Sequence, residues 1–163
     1  MGKLALKEPR NEAVPSELEH PPSNIVQQLL MDLGHGEPPG EEAEWPIFFS
    51  GEPDSPDDVI TVYDTTGIDL GRSNVTGELW ANYGIQVRFR GVDQQETWKK
   101  ADTLRKSMAE DVYQNRVVID GQPYLVHAFL EIGNVLTVGK ETTPQKRSLY
   151  TINCLVSVKE LAT

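Results

Sequence analysis

Residues 83–90 read Tyr-Gly-Ile-Gln-Val-Arg-Phe-Arg, and the change of spacing directly after them constrains the fold more than any other feature of the chain. Within this stretch apolar residues alternate with polar ones, a period of two that is typical of a strand with one buried face. The buried face would carry Tyr83, Ile85, Val87 and Phe89. We therefore predict a half-buried strand whose two arginines, Arg88 and Arg90, lie with Gln86 on the opposite, polar face.

The residues after Gly91 take up the spacing of an amphipathic helix. Asp93 and Glu96 stand three positions apart, which is a variant of the helix capping box. Large and small apolar residues then recur every three or four positions, at Trp98, Ala101, Leu104, Met108 and Val112. We expect this helix to pack its apolar stripe, Trp98 included, against the strand.

The N-terminal region is predicted to be an arm followed by a short helix. Residues 1–22 have few large apolar side chains and end in two prolines, so we expect an extended or disordered arm. Ser23 or Asn24 is expected to cap an amphipathic helix, and Gly34 is expected to end it. The folded domain is therefore predicted to begin at residue 23.

Strands and a hairpin are indicated by β-branched content and turn residues. Residues 45–50, 59–63 and 116–120 read as strands, and residues 65–82 read as a long loop between two strands. Asp120-Gly121 is a dipeptide preferred in tight hairpins, because both positions tolerate positive φ. We expect the chain to reverse direction there.

The C-terminal third is predicted to contain two further strands. Gln122–Leu130 is apolar at both odd and even positions, so it needs a partner on each face, and another subunit is one candidate. Residues 139–148 read as a polar loop with a basic end, and residues 149–159 as a last strand that buries Cys154. The whole pattern predicts one α/β (α+β) domain over residues 23–163, with a mixed, mainly antiparallel sheet flanked by two helices.

The net charge of -10 is unevenly distributed along the 163 residues. Residues 1–60 hold 13 Asp and Glu against 3 Lys and Arg, whereas residues 61–163 hold 12 of each sign. A neutral C-terminal part and an acidic N-terminal part argue against the broad basic surface of a protein that grips nucleic acid. The simplest interpretation is a solvated acidic face that favours solubility.

No group of residues has the spacing of a catalytic or ligand-binding motif. Residues 133–142 look superficially like a phosphate-binding loop, but Glu141 stands where a magnesium-binding hydroxyl is needed. Asp54, Asp57 and Asp58 could bind a divalent cation, but the prolines among them favour a solvated turn. The three histidines are far apart, and no apolar run is long enough to cross a membrane. We therefore expect no metal, no cofactor, no membrane contact and no enzymatic activity.

The order of these elements resembles that of the minor capsid and tail terminator proteins of long-tailed bacteriophages. The likeness runs over residues 23–160. It is carried by Phe-Phe-Ser-Gly-Glu-Pro at 48–53, Val-Ile-Thr-Val-Tyr-Asp-Thr-Thr-Gly at 59–67, Tyr-Gly-Ile-Gln-Val-Arg-Phe-Arg-Gly at 83–91, the Asp120-Gly121 hairpin, and Tyr-Thr-Ile-Asn at 150–153. The resemblance implies a hexameric ring that caps the tail tube, stops its growth and presents a surface to the neck of the head.

The resemblance also implies the partners of the protein. These are further copies of itself, the tail tube protein and a neck or head completion protein, while genomic DNA passes through the ring without specific binding. It implies a place in the virion, at the tail and neck, after assembly in the host cytoplasm. Another head-tail connector, such as a head completion or stopper protein, is the nearest alternative. A small cytoplasmic enzyme or ligand-binding domain is a more distant one.

Two surfaces of such a ring can be assigned to residues. An acidic wall would repel the phosphates of passing DNA, so we predict that the channel is lined by Glu37, Glu41, Glu42, Glu44, Asp54, Asp57 and Asp58. We predict that subunits meet through the doubly apolar strand and the basic loop, at Tyr124, Leu125, Val126, Phe129, Lys146 and Arg147.

Overall fold

A computed structural model of the chain describes residues 18–40, 42–66 and 81–162. The described part contains two helices, α1 (Pro22–Asp32) and α2 (Gln94–Glu110). It contains seven strands, which are β1 (Ile47–Phe49), β2 (Val59–Thr65), β3 (Ala81–Gly91), β4 (Asn115–Ile119), β5 (Gln122–Leu130), β6 (Leu136–Lys140) and β7 (Ser148–Glu160).

The seven strands form one mixed sheet. Their order is β1-β2-β3-β7-β5-β4, and β6 pairs with β7 beside the end of β5. Only β1 and β2 run parallel among the described pairs, and the others are antiparallel. This confirms the predicted fold class, an α+β fold with a mainly antiparallel sheet and two helices.

The centre of the sheet is the long antiparallel pair β3 and β7. Ile85, Val87 and Phe89 stand opposite Cys154, Ile152 and Tyr150, and all six belong to a single buried core with residues of both helices. Each fully buried aliphatic or aromatic side chain contributes roughly 1.5–3 kcal/mol of hydrophobic stabilisation. Burial raises the pKa of the Cys154 thiol to about 12, so this residue is the small core residue that its strand position predicted.

The prediction that Trp98 lies in the core is wrong. Its side chain is 43% exposed, and the inward position at the start of α2 belongs to Thr97, which is 1% exposed. The Thr97 hydroxyl donates to the Asp93 carbonyl oxygen at 2.6 Å, so its polar group is satisfied within the first turn. The predicted Asp93 cap is confirmed, because its carboxylate accepts from the backbone N–H of Glu96 at 2.9 Å.

The predicted cap of α1 by Ser23 or Asn24 is also wrong. Pro21 occupies the N-cap position, and Ser23 lies inside the first turn. The Ser23 backbone N–H and hydroxyl donate to the two carboxylate oxygens of Asp64 at 2.8 and 2.6 Å. A carboxylate from the end of β2 thus satisfies the helix N-terminus, which favours negative charge. Gly34 follows the C-cap with φ +86°, as its predicted role as a stop requires.

Strand β5 has the predicted bounds, and its apolar character on both faces has an explanation within the chain. The register with β7 shifts between Val126 and Ala128, so the strand carries a bulge. Tyr124 and Val126 are buried before the bulge, and Phe129 is buried after it. The bulge therefore moves the inward positions from even to odd numbers, because one extra residue reverses the alternation of faces.

Strand β6 was not predicted, and it replaces the first part of the polar loop expected over residues 139–148. It pairs with the first four residues of β7, and its register shifts between Thr137 and Gly139. Of the loop expected over residues 65–82, Thr65 belongs to β2, and Ala81 and Asn82 belong to β3. Residues 67–80 lie outside the described residues.

Candidate functional site

Residues 51–58, which we call the acidic loop, wrap around the buried side chain of Arg90. This guanidinium is 2% exposed and donates to the carbonyl oxygens of Pro53 and Pro56, both at 2.6 Å. Three longer bonds reach the carbonyl oxygens of Asp54 and Asp57 and a carboxylate oxygen of Glu52. An arginine offers five N–H donors, so Arg90 can satisfy five acceptors of the loop at once.

The predicted position of Arg90 on a polar, solvent-facing side of β3 is therefore wrong. The arginine is on the expected face of the strand, but the acidic loop covers that face at the end of β3. Four of the five acceptors are backbone carbonyls that lie 33 to 37 residues earlier in the chain. No sequence pattern indicates this contact, because every residue carries a backbone carbonyl oxygen.

Arg147 is the second buried arginine of the site, and it joins the acidic loop to the start of β7. It is 4% exposed and binds both carboxylate oxygens of Glu141, from Nε at 2.7 Å and Nη2 at 3.2 Å. Its Nη1 donates to the Asp54 carbonyl oxygen at 2.8 Å and to a carboxylate oxygen of Asp57 at 3.0 Å. The hydrogen bond to Arg147 lowers the pKa of Glu141, and the same bond raises the pKa of Arg147.

These contacts tie the acidic loop to the sheet, and the carboxylates of the loop differ in exposure. Glu52 pairs with both Arg88 and Arg90, at 3.0 and 3.2 Å, and its side chain is 15% exposed. The Asp57 side chain remains 56% exposed although one of its oxygens binds Arg147. Two buried positive charges thus balance part of the loop's negative charge, as buried charges require.

A groove opens between the acidic loop, the residues before β1 and the start of α2. It is lined by Ala43, Glu44, Trp45, Pro56, Asp57, Asp58, Val92 and Glu96. Asp58 accepts a hydrogen bond from the Val92 backbone N–H at 3.0 Å. A Cβ on Gly91 would collide with the Thr97 hydroxyl and lie 3.1 Å from the Trp45 ring, so only glycine fits beneath this region. The groove therefore combines four carboxylates with apolar surface.

The structure brings together only some of the residues predicted to line a channel. Glu44, Asp57 and Asp58 share the groove with Glu96, which was not predicted. The other predicted residues lie around it or apart from it: Asp54 is an exposed residue of the acidic loop, Glu37 and Glu42 are exposed residues of the preceding loop, and Glu41 lies outside the described residues. Which of these carboxylates face a channel stays a prediction.

Most residues predicted for the subunit interface are buried within this chain. Tyr124 and Val126 are fully buried, Phe129 is 7% exposed, and Arg147 belongs to the acidic loop site. Leu125 is half-buried and Lys146 is exposed, so these two side chains are accessible to a partner.

Tyr124 also contacts the end of the N-terminal arm, at His20. Its hydroxyl oxygen accepts from the His20 backbone N–H at 3.0 Å and lies 2.6 Å from His20 Nδ1. Next to it, the Glu19 backbone N–H donates to the carboxylate of Glu160 at 3.0 Å. Burial raises the pKa of the Tyr124 phenol, so the hydroxyl stays protonated and can serve both as donor and as acceptor. The arm thus joins the body at the β4–β5 hairpin end of the sheet.

The most exposed apolar strand surface belongs to β6, which the sequence analysis missed. Leu136 and Val138 are 50% and 52% exposed. Within the described residues β6 pairs only with β7, so its outer edge carries no strand. The alternation Leu136-Thr137-Val138, with two β-branched residues, is the signal that could have identified this strand.

The described residues contain no group of three or more His, Cys, Asp and Glu arranged to hold a metal ion. None of the helices in that part of the chain is long and apolar enough to cross a membrane. His35 Nε2 lies 2.7 Å from the Ser107 hydroxyl, which links the end of α1 to α2. Burial, followed by the charge of Lys100, lowers the pKa of His35, so this histidine is a neutral packing residue at neutral pH.

Comparisons with known proteins leave the family open. No protein-family model matches the chain, and no curated protein matches it. A solved structure whose name describes no activity is similar over 73% of this chain and 82% of its own, with 12% sequence identity. Its TM-score of 0.38 is too low to carry an argument about fold or function.

Proposed function

We propose that this protein is a virion structural protein, a tail terminator that forms a hexameric ring at the head-proximal end of a phage tail tube. The observation that carries the proposal is the acidic loop, which two buried arginines, Arg90 and Arg147, tie to the sheet while the side chains of Asp54 and Asp57 stay exposed. Such a loop is a preformed acidic surface, and it costs no ordering when the ring assembles.

An acidic surface suits a ring through which a genome passes. Basic side chains would hold DNA by releasing its condensed counterions, and this attraction would oppose sliding. Carboxylates such as Asp54 and Asp57 repel phosphates within the screening length, which is about 8 Å at physiological salt. The acidic loop therefore supports a role as a rim or wall past which duplex DNA moves without being bound.

The proposal is of a structural role without catalysis. The buried charged groups of the site are used to hold the loop, and Arg147 in particular is bound by Glu141 and Asp57. The partners on this proposal are other copies of the chain, the tail tube protein and a neck or head completion protein. The protein would act in the virion, at the junction of tail and head. Another connector of the neck is the nearest alternative, since it would share the ring and the acidic surface.

Capping of tail tubes tests the proposal and separates it from the alternative. Purified tail tube protein from the same phage would be polymerised with and without this protein, and the products measured by electron microscopy. We expect tubes that stop growing and carry a ring at one end. Tubes of unchanged length without a bound ring would refute the terminator role, and a ring that binds isolated heads instead would identify a neck component.

A further inference from the structure

His35 is held at the junction of α1 and α2 by both its backbone and its ring. In the Schellman motif that ends α1, the Gly34 backbone N–H donates to the Met31 carbonyl oxygen at 3.0 Å. The His35 backbone N–H donates to the Leu30 carbonyl oxygen, also at 3.0 Å. The His35 ring nitrogen Nε2 lies 2.7 Å from the Ser107 hydroxyl of α2. A ring that is fixed on both sides cannot turn far from its neighbours when it binds a proton.

Two charged groups act on the His35 ring, the ammonium of Lys100 and the carboxylate of Asp111. Asp111 is the exposed C-cap residue of α2, whereas Lys100 is half-buried. Burial and then Lys100 lower the pKa of His35, and the opposing effect of Asp111 is the smallest of the three. A proton on His35 therefore meets more repulsion from Lys100 than attraction from Asp111.

The ammonium of Lys100 has an aromatic partner, Trp45. Its Nζ lies 5.9 Å from the centroid of the Trp45 ring, within the range of a cation–π contact. The Trp45 backbone is fixed, because its carbonyl oxygen accepts from the Glu37 N–H at 3.3 Å and a Cβ on Gly36 would collide with that oxygen. The lysine has a flexible four-carbon stem, so it is the partner that can move.

A second position for the Lys100 ammonium lies one helical turn away, at Glu96. A glutamate four residues before a lysine on a helix is in the favourable order for an ion pair. The exposed Glu96 side chain lines the groove together with Trp45. The ion pairs among the described residues do not include Glu96, so its carboxylate can receive Lys100.

We propose that a proton on His35 moves the Lys100 ammonium from the Trp45 ring to the Glu96 carboxylate. The movement separates two positive charges and places the ammonium against one of the four carboxylates that line the groove. The groove is then less acidic in the protonated protein than at neutral pH. This pH-sensitive device goes beyond the proposed function and does not depend on it.

Nuclear magnetic resonance of the full chain can follow both ends of the device. The indole N–H signal of Trp45 is assigned by its loss in Trp45→Phe, and the ring protons of His35 by their loss in His35→Gln. Between about pH 8 and about pH 5, where histidine titrates, we expect both residues to shift with one midpoint below 6.5. Nuclear Overhauser contacts between the Lys100 methylene protons and the Trp45 ring should be present at neutral pH and disappear with the same midpoint.

Variants separate the proton site from the group that moves. His35→Gln should abolish the pH response of Trp45, whereas His20→Gln, the matched change at a histidine outside this cluster, should leave it unchanged. Lys100→Gln should also abolish the response of Trp45. In that variant His35 should still titrate, with a midpoint raised toward 6.5, because the repelling charge is gone.

A matched pair of carboxylate variants tests the receiving group. Glu96→Gln should lower the midpoint of His35 more than Glu44→Gln does, because only Glu96 lies one helical turn from Lys100. Equal effects of the two variants would overturn Glu96 as the receiving group.

Three further results would each overturn the proposal. One is a Trp45 signal that does not move with the titration of His35, and another is a response that persists in His35→Gln. The third is loss of the folded state over the same pH range, measured by circular dichroism, because charging His35 would then unfold the chain instead of moving one side chain.

Retention of the fold together with the shared midpoint and the loss of the Lys100–Trp45 contacts would support the proposal. Capping of tail tubes has no bearing on these measurements, so the device and the proposed function can fail separately.

Discussion

Arg90 and Arg147 donate to the same carbonyl oxygen, that of Asp54, at 3.3 and 2.8 Å. Arg90 lies at the end of β3 and Arg147 just before β7, two strands that are neighbours at the centre of the sheet. The shared acceptor ties the acidic loop to both strands at once. The conformation of a surface loop thus depends on two of the most buried charged groups in the described part of the chain.

Replacing Arg90 with methionine should destabilise the protein strongly. Arg90→Met keeps much of the side-chain length but leaves the carbonyls of Pro53 and Pro56 without this donor, and Glu52 with Arg88 as its remaining partner. Breaking a buried charged contact of this kind costs about 3–5 kcal/mol. Urea unfolding should show this loss, whereas Arg116→Met, at an exposed position on β4, should change the free energy of unfolding by less than about 0.5 kcal/mol. Similar values for the two variants would contradict the role of Arg90.

Trp98→Ala should have a small effect although tryptophan is the largest residue on α2. Its side chain is 43% exposed, whereas Leu104 is fully buried. We expect less than about 1 kcal/mol for Trp98→Ala and about 2–5 kcal/mol for Leu104→Ala, because only the second removes core packing. Thermal melts of the two variants at one pH measure the difference. A larger loss at Trp98 would mean that this side chain is packed in the folded protein.

His35 should make the protein less stable as the pH falls. Its pKa in the folded state lies below the ordinary value of 6.5, because burial and then Lys100 disfavour the charged ring. The stability gained from the neutral ring is present above 6.5 and is lost as the pH falls through the folded-state pKa. His35→Gln should remove this decrease of the unfolding free energy with falling pH. Lys100→Gln should make the decrease smaller without removing it. An unchanged pH profile in His35→Gln would exclude His35 as its source.

Protonation of Glu141 should cause a second loss of folding stability, at a lower pH than the loss caused by His35. The hydrogen bond from Arg147 lowers its folded-state pKa below the ordinary value of 4.5. The associated stability is present above 4.5 and is lost as the pH falls through the folded-state pKa. Glu141→Gln should cost about 1–3 kcal/mol at neutral pH, since Arg147 keeps its contacts to Asp54 and Asp57. The same variant should lose less further stability in acid than the wild type, as unfolding by urea at several pH values can show.

The assembled protein should not retard duplex DNA, even at low salt. Replacing Glu41, Glu42 and Glu44 with lysine should slow genome ejection from particles, because the new charges would hold phosphates. Of these, Glu44 lines the groove and Glu41 lies outside the described residues. Ejection measured by DNA release, with particle assembly as the control, tests this. Ejection at the normal rate from normal particles would show that these carboxylates do not face the DNA.

Local patterns were enough to predict most of the fold but little of the candidate site. The alternation in residues 83–90 and the Asp120-Gly121 turn predicted a strand and a hairpin that the structure contains, because both depend on neighbouring residues alone. The burial of Arg90 could not be read in this way. Its acceptors are backbone carbonyls, which every residue carries, and tertiary contacts decide which of them come close.

The alternation of apolar residues along β3 and β7, and with it the buried face of the sheet, follows from the order of the amino acids alone. Tertiary structure decided where that alternation is interrupted. The bulge before Ala128 turns Phe129 inward, so an apparent second apolar face is part of the core, while β6 remains at an open edge with Leu136 and Val138 exposed. Hydrophobic periodicity specifies which residues can be buried, but the pairing of strands decides which of them find a neighbour.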